Sequence, residues 1–291
     1  EGAPAEEPTK VTSVTASVPS SAVKAGTKVE LTTSTEDATI YYTVDGSEPT
    51  TGSTVYSTPI AITADTTIKA MAVADGLENS DVAEFTYTVL SLKTISEVRE
   101  MNPGDFALTS GVVTAVLGKN IYIQDENAGI VLYGSVSVQP GDEVKAFGEV
   151  ADYNSLLELE VSAENVKVLG QKETPAAKEL TASQLTEQYE AMLVKVGKSK
   201  VESFASGNYT AVDANGDSYQ VRPGTQEWLE VDTSYDSITG VLGAYRDVHQ
   251  LIPRMEADIV LDPSYVRPVA AAPGAGFITA GESVTLTSDT E

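Results

Sequence analysis

Two segments with the same pattern decide how the middle of this chain folds: Asn120-Ile-Tyr-Ile-Gln-Asp125 and Asn208-Tyr-Thr-Ala-Val-Asp213. Each is rich in β-branched or aromatic residues and ends in Asp before a turn signal, 126–129 in the first case and Asn215-Gly216 in the second. Strands bounded by such turn residues are typical of β-hairpins. The sequence therefore predicts two hairpins of the same kind.

The surroundings of the two hairpins also repeat in order. Thr94-Ile-Ser-Glu97 and Thr181-Ala-Ser-Gln184 are capping boxes, and each predicts the start of a short helix. Two further strands follow each hairpin. We therefore expect two tandem units, at 91–170 and 171–262.

A long strand lies between each capping box and its hairpin, at 106–117 and 192–201. These strands contain Gly111 and Gly197, and glycine in a strand interior often marks a sharp bend. A bent first strand, a hairpin and two closing strands make a five-stranded Greek-key barrel, the OB-fold. Each unit is therefore predicted to be an OB-fold-like barrel.

The segment 11–90 carries a different β pattern. Strand-forming residues cluster at 40–44, 68–73 and 85–89, with Asp-Gly turn signals between them. Short strands separated by turns are typical of a β-sandwich. We expect a sandwich here, preceded by a disordered linker rich in Pro, Glu and Ala at 1–10.

The start of this sandwich recurs at the end of the chain. Lys24–Glu36 and Thr279–Glu291 share an Ala-Gly pair followed by Val and Leu at the same spacing. The second copy ends after its opening strands, and half a sandwich cannot bury its own sheet faces. We therefore expect 263–291 to be a truncated, poorly packed repeat, and the chain to be a fragment of a longer protein.

Three stretches of the predicted sandwich at 11–90 resemble a known family. Tyr41–Thr50, Val55–Ile60 and Thr67–Ala70 look like the chitobiase/β-hexosaminidase C-terminal domain, and the resemblance covers about 11–90. It implies an Ig-like sandwich that serves as a spacer in secreted bacterial proteins. It also implies that this module carries no hydrolase residues.

Two short signatures in the predicted barrel at 171–262 carry a second resemblance. Gly240–Gly243 and Leu251–Arg254 are similar to tandem OB-fold-like domains of bacterial surface nucleases and nucleotidases. The resemblance implies an accessory region whose parent protein has its catalytic domain elsewhere. The expected fold class is all-β: an Ig-like β-sandwich, two tandem OB-fold-like β-barrels each with a short helix, and a truncated second Ig-like repeat.

Composition excludes several kinds of site. The chain has 43 acids against 18 bases, a formal charge of -25, no cysteine and one histidine, His249. Cysteine nucleophiles, cysteine zinc sites and histidine clusters are therefore excluded. The densest basic group, Lys195, Lys198 and Lys200, is followed at once by Glu202, so no basic stripe favours nucleic acid. No apolar run approaches the roughly 20 residues of a membrane span.

Five aromatic residues are candidate ligand contacts: Tyr122, Tyr153, Tyr209, Trp228 and Tyr245. The tyrosines lie on strands or loops of the barrels, where OB-folds bind ligands. Tyr122 and Tyr209 are expected at matching positions, either as paired ligand contacts or with a shared packing role. Trp228 is either a stacking platform for a sugar or a base, or a core or edge residue.

Two acidic patterns in the barrels have the residue types of a binding or catalytic site. Asp213–Asp217 has the spacing of a calcium loop, but Ser218 and Gly224 stand where an EF-hand needs Gly and Glu, so a hairpin turn explains it better. Glu158 and Glu160 alternate on one strand face like a glycosidase pair, which chance also produces in so acidic a chain.

Two further pairs have structural alternatives. His249 near Asp247 has the composition of a general base, but no nucleophile motif accompanies it, which favours a surface or interface histidine. Asp45 and Glu48 suggest calcium or a catalytic pair, and a capped tight turn explains them better. We therefore assign no catalytic, cofactor-binding or metal-binding residue, and expect no cofactor.

The expected function is that of a non-catalytic accessory region, a spacer with substrate-binding or positioning modules, in a larger secreted or surface-anchored bacterial protein. The leading parent is an extracellular nuclease or nucleotidase with a downstream catalytic domain. The alternative is a carbohydrate-binding region of a surface glycan-degrading protein. The barrels either bind or position a substrate, with a carbohydrate or an oligonucleotide as the candidate ligand, or simply hold a distant catalytic domain off the surface. The expected location is outside the cell or at its wall.

Overall fold

A computed structural model describes residues 9–265, 270–272 and 285–287. The described residues are nearly all β. The chain divides into two compact units, Glu1–Leu92 and Lys93–Glu291. Among the described residues, no helix has the length and apolar character needed to cross a membrane.

The first unit is an Ig-like sandwich, as predicted. Its strands are β1 (Thr15–Ala16), β2 (Ser21–Val23), β3 (Thr27–Val29), β4 (Leu31–Thr32), β5 (Thr39–Thr43), β6 (Thr54–Val55), β7 (Ile60–Ile62), β8 (Thr66–Val73) and β9 (Ala83–Val89). Five strands form a sheet in the order β2-β9-β8-β5-β6, while β1 pairs with β4 and β3 with β7. Side chains from both groups form one core, including Leu31, Ile62, Ile68 and Tyr87.

Asp45 and Glu48 are held in a turn of this sandwich. Oδ1 of Asp45 accepts hydrogen bonds from the backbone N–H of Ser47 at 3.0 Å and from its hydroxyl at 2.6 Å. Glu48 forms an ion pair with Lys69 at 2.6 Å. The interpretation as a capped turn is therefore confirmed for Asp45, whereas Glu48 is held by its ion pair with Lys69.

The second unit begins with a closed barrel. Its elements are β10 (Leu92–Lys93), α1 (Ile95–Arg99), β11 (Phe106–Leu117), β12 (Asn120–Gln124), β13 (Gly129–Tyr133), β14 (Asp142–Tyr153), β15 (Leu156–Glu160), a 3-10 turn (Ala163–Asn165) and β16 (Val166–Gln171). The order β11-β12-β13-β15-β14 closes because β14 also pairs with β11, and only β13 and β15 run parallel within it. This connectivity is that of the OB-fold.

A second barrel follows with the same connectivity. Its strands are β17 (Lys178–Leu180), β18 (Leu193–Val196), β19 (Ser199–Ala205), β20 (Asn208–Asp213), β21 (Ser218–Val221), β22 (Ser234–Tyr245), β23 (Val248–Ile252) and β24 (Ile259–Leu261), with a 3-10 turn at Glu256–Asp258. Here β18 and β19 together replace β11, and β22 pairs with both. The barrel closes through β19-β20-β21-β23-β22.

The C-terminal prediction falls mostly outside the described residues. Of the predicted truncated repeat, the structure describes the residues up to Tyr265 and two strands, β25 (Ala270–Ala272) and β26 (Thr285–Thr287), which pair antiparallel. Most of the predicted N-terminal linker is likewise outside them.

The first strand of each barrel bends at or next to the glycine predicted to bend it, Gly111 or Gly197. In β11, pairing changes from β14 to β12 at Val112, next to Gly111. A Cβ at Gly111 would lie 3.0 Å from the carbonyl oxygen of Gln124, which explains why a side chain is absent there. In the second barrel the strand is interrupted at Gly197, between β18 and β19. Each bend lets the strand exchange one neighbour for another, β14 for β12 in the first barrel and β22 for β20 in the second.

Both capping boxes form, but they open different structures. Thr94 starts the α-helix α1, whereas Thr181 starts two successive 3-10 turns at Ala182–Gln184 and Glu187–Tyr189. The second segment does not continue as an α-helix because Leu185, buried in the barrel core, has ψ 84°. The predicted second short helix therefore consists of 3-10 turns.

The two barrels pack against each other within this unit. A shared apolar cluster contains Ala115, Tyr122, Val131 and Leu156 of the first barrel, and Ala191, Leu193 and Val241 of the second. The backbones approach closely at Gly129, where a Cβ would lie 2.4 Å from the carbonyl carbon of Ala191. We call this interface the joint.

Candidate functional site

Tyr122, the first candidate ligand contact, lies inside the joint. Its side chain is on the outer face of β12 but is only 1% exposed, because the second barrel covers it. Burial raises the pKa of its hydroxyl to about 12. The hydroxyl lies 3.6 Å from the place that a Cβ of Gly243 would occupy, so a small residue there leaves room for the ring.

Tyr209 faces the opposite way, into the core of the second barrel. Its ring lies 4.6 Å from that of Phe204, and burial raises the pKa of its hydroxyl. The prediction that Tyr122 and Tyr209 occupy matching positions is wrong. Thr210, one residue along, corresponds to Tyr122.

The two barrels can be aligned on equivalent aspartates. Oδ2 of Asp125 accepts from the N–H of Ile95 at 3.0 Å, and Oδ2 of Asp213 accepts from that of Ala182 at 2.9 Å. Each carboxylate therefore caps the segment that opens its barrel. Tyr122 and Thr210 each lie three residues before the aspartate of their strand, so these two positions correspond. Tyr209 is one residue further from Asp213, and a shift of one residue along a strand moves a side chain to the other face.

The Asp213 loop is accounted for by its own backbone. Oδ1 of Asp213 accepts from the N–H groups of Asn215 at 2.9 Å and Asp217 at 3.1 Å. Burial opposes ionisation, but these hydrogen bonds and that from Ala182 outweigh it and lower the pKa of the carboxyl. The described part of the chain contains no group of three or more potential metal ligands.

Tyr153 and Tyr245 flank a contact between equivalent turns. The N–H of Arg246 donates to the carbonyl of Asn154 at 2.7 Å, which joins the β22–β23 turn to the β14–β15 turn. Tyr153 is 62% exposed and Tyr245 is 38% exposed. The guanidinium of Arg246 lies 5.1 Å from the centre of the Tyr245 ring. The structure thus brings these two candidates to one edge of the joint.

Trp228 lies in the connection between β21 and β22. Its side chain is half-buried, beside the buried Leu229.

A buried ion pair crosses the joint. Nη1 of Arg99 in α1 lies 3.2 Å from Oε1 of Glu190. The same carboxylate oxygen accepts from the N–H of Leu157 at 3.3 Å. Burial raises the pKa of Glu190, although the charge of Arg99 acts in the opposite direction. Sequence reasoning missed this pair, because neither residue lies in a recognisable motif.

Glu158 is a second buried acid near the joint. It is 4% exposed on β15, and burial raises the pKa of its carboxyl to about 7, with the charges of Glu160 and Asp152 adding to the effect. Glu160 shares that strand face but is exposed. A carboxyl so enclosed has little access to a substrate, so the pair lacks the open cleft that a glycosidase needs.

His249 is not paired with Asp247. It lies half-buried on β23, and burial lowers the pKa of its imidazole. Oδ1 of Asp247 instead accepts from the hydroxyl of Ser155 at 2.6 Å, across the joint. Among the described residues, no hydrogen bond links the histidine to that carboxylate.

The joint covers the surface that OB-folds use for ligands. In this fold, oligonucleotides and oligosaccharides bind on the face of the second and third strands and at the loop between the fourth and fifth. In the first barrel those elements are β12, β13 and the β14–β15 turn. Tyr122 and Val131 on that face are 1% and 0% exposed, and the turn contacts the second barrel. The centre of this surface is therefore covered in the first barrel, while Tyr133 and Tyr153 at its edge are exposed.

Comparison with solved structures gives only remote likeness. A replication protein A heterotrimer bound to ssDNA is 8% identical with a TM-score of 0.21, and the match covers 83% of this chain and 90% of that one. A multidomain protein with nucleic acid binding domains from Streptococcus pneumoniae is 9% identical with a TM-score of 0.17. This match covers 75% of the present chain and 73% of the other. Neither value supports an argument about ligand or function.

Sequence comparison identifies one module. No curated protein matches the chain. Residues 18–84 match the family model of the Chitobiase/beta-hexosaminidase C-terminal domain, so the resemblance seen in the sequence of the first unit is confirmed.

Proposed function

We propose that this chain is a non-catalytic accessory region of a larger secreted or surface-anchored bacterial protein. The sandwich acts as a spacer, and the two barrels act as one block that positions or binds a substrate. A catalytic domain elsewhere in the parent chain performs the chemistry. The observation that carries this proposal is the match of 18–84 to a chitobiase-type C-terminal domain.

For the ligand of the barrels, we favour a carbohydrate over an oligonucleotide. A net charge of -25 repels polyanions but not a neutral sugar, whereas burial of the joint face counts against both ligand classes. The parent is then a glycan-degrading surface protein. A nuclease or nucleotidase parent remains the second candidate, because the tandem barrels resemble those of such proteins.

Three assays on the purified chain test this function. We expect no hydrolysis of nitrophenyl phosphate, nitrophenyl glycosides or single-stranded DNA. We expect retarded migration in polysaccharide affinity gels and no gel shift with oligonucleotides at low salt. Turnover of any of these substrates by the chain itself, in proportion to its concentration through purification, contradicts the proposal.

A further inference from the structure

A cleft of about 620 Å³ opens at the edge of the joint, beside Gln124, which lies on the same face of β12 as Tyr122. It is lined by the bend of β11, by the end of β12 and by the connection to the second barrel, including Ser110, Val112, Gln124, Pro175 and Met192. Its volume lies in the range of pockets that hold small ligands. None of the five aromatic candidates lines it.

Gln124 gives this cleft an unused hydrogen-bond donor. The side chain is 4% exposed, and its Oε1 accepts from the N–H of Leu193 at 2.7 Å. Since an N–H can only donate, this bond fixes which end of the carboxamide is oxygen. The Nε2 group has no acceptor among the described residues. It is not fully enclosed, because among these residues the fully enclosed side-chain nitrogen or oxygen atoms without a partner comprise only Oγ of Ser162. The nitrogen therefore opens onto the cleft that Gln124 lines.

The charged groups around the cleft are already engaged. Asp125 accepts three backbone N–H groups. Glu143 and Lys172 form an ion pair at 2.7 Å, and the ammonium of Lys178 lies 4.6 Å from the centre of the Tyr189 ring. The exposed Glu126 adds a negative charge without such a contact. The cleft therefore offers an anion no positively charged side chain that is not already engaged.

The second barrel provides an internal comparison. Its equivalent cleft, at the start of β19 and the end of β20, is about 240 Å³. The strand register places Val212 where the first barrel has Gln124, so the amide donor is missing. Lys198 and Asp262 lie 3.6 Å apart at this smaller cleft. The donor and the larger volume are features of the first barrel.

We propose that the cleft at the β11 bend binds a neutral mono- or disaccharide, with Nε2 of Gln124 donating to a ligand oxygen. A sugar ring offers hydroxyl acceptors for the amide and for the Ser110 hydroxyl, and apolar C–H faces for Val112, Pro175 and Met192. This inference rests on the proposed accessory binding function and names one site for it.

Protein-observed NMR tests the site directly. We expect titration of the 15N-labelled chain with glucose, N-acetylglucosamine and cellobiose to move the side-chain NH2 signal of Gln124 and the backbone signals of 110–112 with at least one of them. Gln124→Glu keeps the oxygen that accepts from Leu193 and removes the donor, so affinity should fall at least about tenfold, the effect of losing one well-placed hydrogen bond.

Filling the cleft provides the matched control. Ala176 is exposed and lines the cleft, so Ala176→Trp should abolish the shifts, while Ala214→Trp in the smaller cleft should leave them unchanged. Shifts that persist in Ala176→Trp, or their absence with every sugar, overturn the site. Movement of the Gln124 signal by adenosine monophosphate alone overturns the ligand class. Retention in polysaccharide gels without these shifts would leave the proposed function standing and exclude this cleft.

Discussion

Arg99 and Glu190 form an ion pair across the joint, with side chains that are 11% and 2% exposed and with Nη1 3.2 Å from Oε1. The guanidinium also donates to the carbonyl of Gly129 at 3.2 Å and to that of Glu187 at 3.2 Å. One side chain of α1 therefore holds both barrels by charge and by backbone hydrogen bonds. The pair thus adds to the apolar cluster of the joint, which covers the outer face of β12.

Removal of the arginine is expected to loosen the joint. Arg99→Met leaves the Glu190 carboxylate buried without its partner, and we expect a loss of roughly 3 kcal/mol of unfolding free energy. The double variant Arg99→Met with Glu190→Leu removes the stranded charge and should recover most of the loss. Urea unfolding measures both, and a single variant within about 0.5 kcal/mol of the wild type would show that the pair contributes little.

Glu158 should make stability depend on pH. Its pKa is about 7 in the folded chain against an ordinary value of 4.5, so the fold favours the protonated form. The stabilisation is fully present below the unfolded pKa and is lost as pH rises through the folded one. The wild type should therefore lose on the order of 2 kcal/mol relative to Glu158→Gln between about pH 4.5 and 7.

Urea unfolding of both proteins across this pH range measures the difference. Glu160→Gln on the same strand face should show a weaker pH dependence than the wild type but keep most of it, because the charge of Glu160 adds to the larger effect of burial on the pKa of Glu158. A constant difference between wild type and Glu158→Gln would mean that the folded and unfolded states bind this proton equally, so that the fold does not raise the pKa of Glu158.

Gly129 should tolerate no side chain. A Cβ there would lie 2.4 Å from the carbonyl carbon of Ala191, so Gly129→Ala should force the barrels apart and destabilise the chain by roughly 1–3 kcal/mol. Gly170→Ala is the matched control, since a Cβ at Gly170 meets nothing within 4 Å. Calorimetry should show an earlier melting transition only for Gly129→Ala, and equal transitions for the two variants would argue against close approach at this point.

Asp213 should matter as a cap and not as a calcium ligand. Asp213→Ala removes the acceptor for the N–H groups of Ala182, Asn215 and Asp217, so a loss of roughly 1–2 kcal/mol is expected. Added calcium should leave the melting temperature of the wild type unchanged. A calcium-dependent rise in the wild type that disappears in Asp213→Ala would restore the metal interpretation.

The fold was readable from sequence where the signal is local. The capping boxes at Thr94 and Thr181, the bend glycines and the repeated order of strands predicted two barrels of the same topology. These features depend on residues close together in the chain, where turn chemistry and strand alternation act directly.

The joint was not predicted, because it depends on which outer faces meet. One signal was present: Ile130-Val-Leu132 is continuously apolar, and such runs are typical of strands buried on both faces. Tyr122 and Tyr209 were aligned one residue out of register, since the hairpin similarity alone does not mark which side chains point inward. The shared aspartates, Asp125 and Asp213, would have fixed the register.

Because the chain contains no cysteine, a single introduced thiol can report whether the second barrel covers the first. A single Val131→Cys places one thiol on the outer face of β13, inside the joint, and Gln220→Cys places one at the equivalent, half-exposed position of β21. If the second barrel covers the first, the thiol at 131 should react with a maleimide at least about 100-fold more slowly than the thiol at 220, through opening of the joint. Equal rates in folded proteins of equal stability would show an open face on the first barrel and contradict the account.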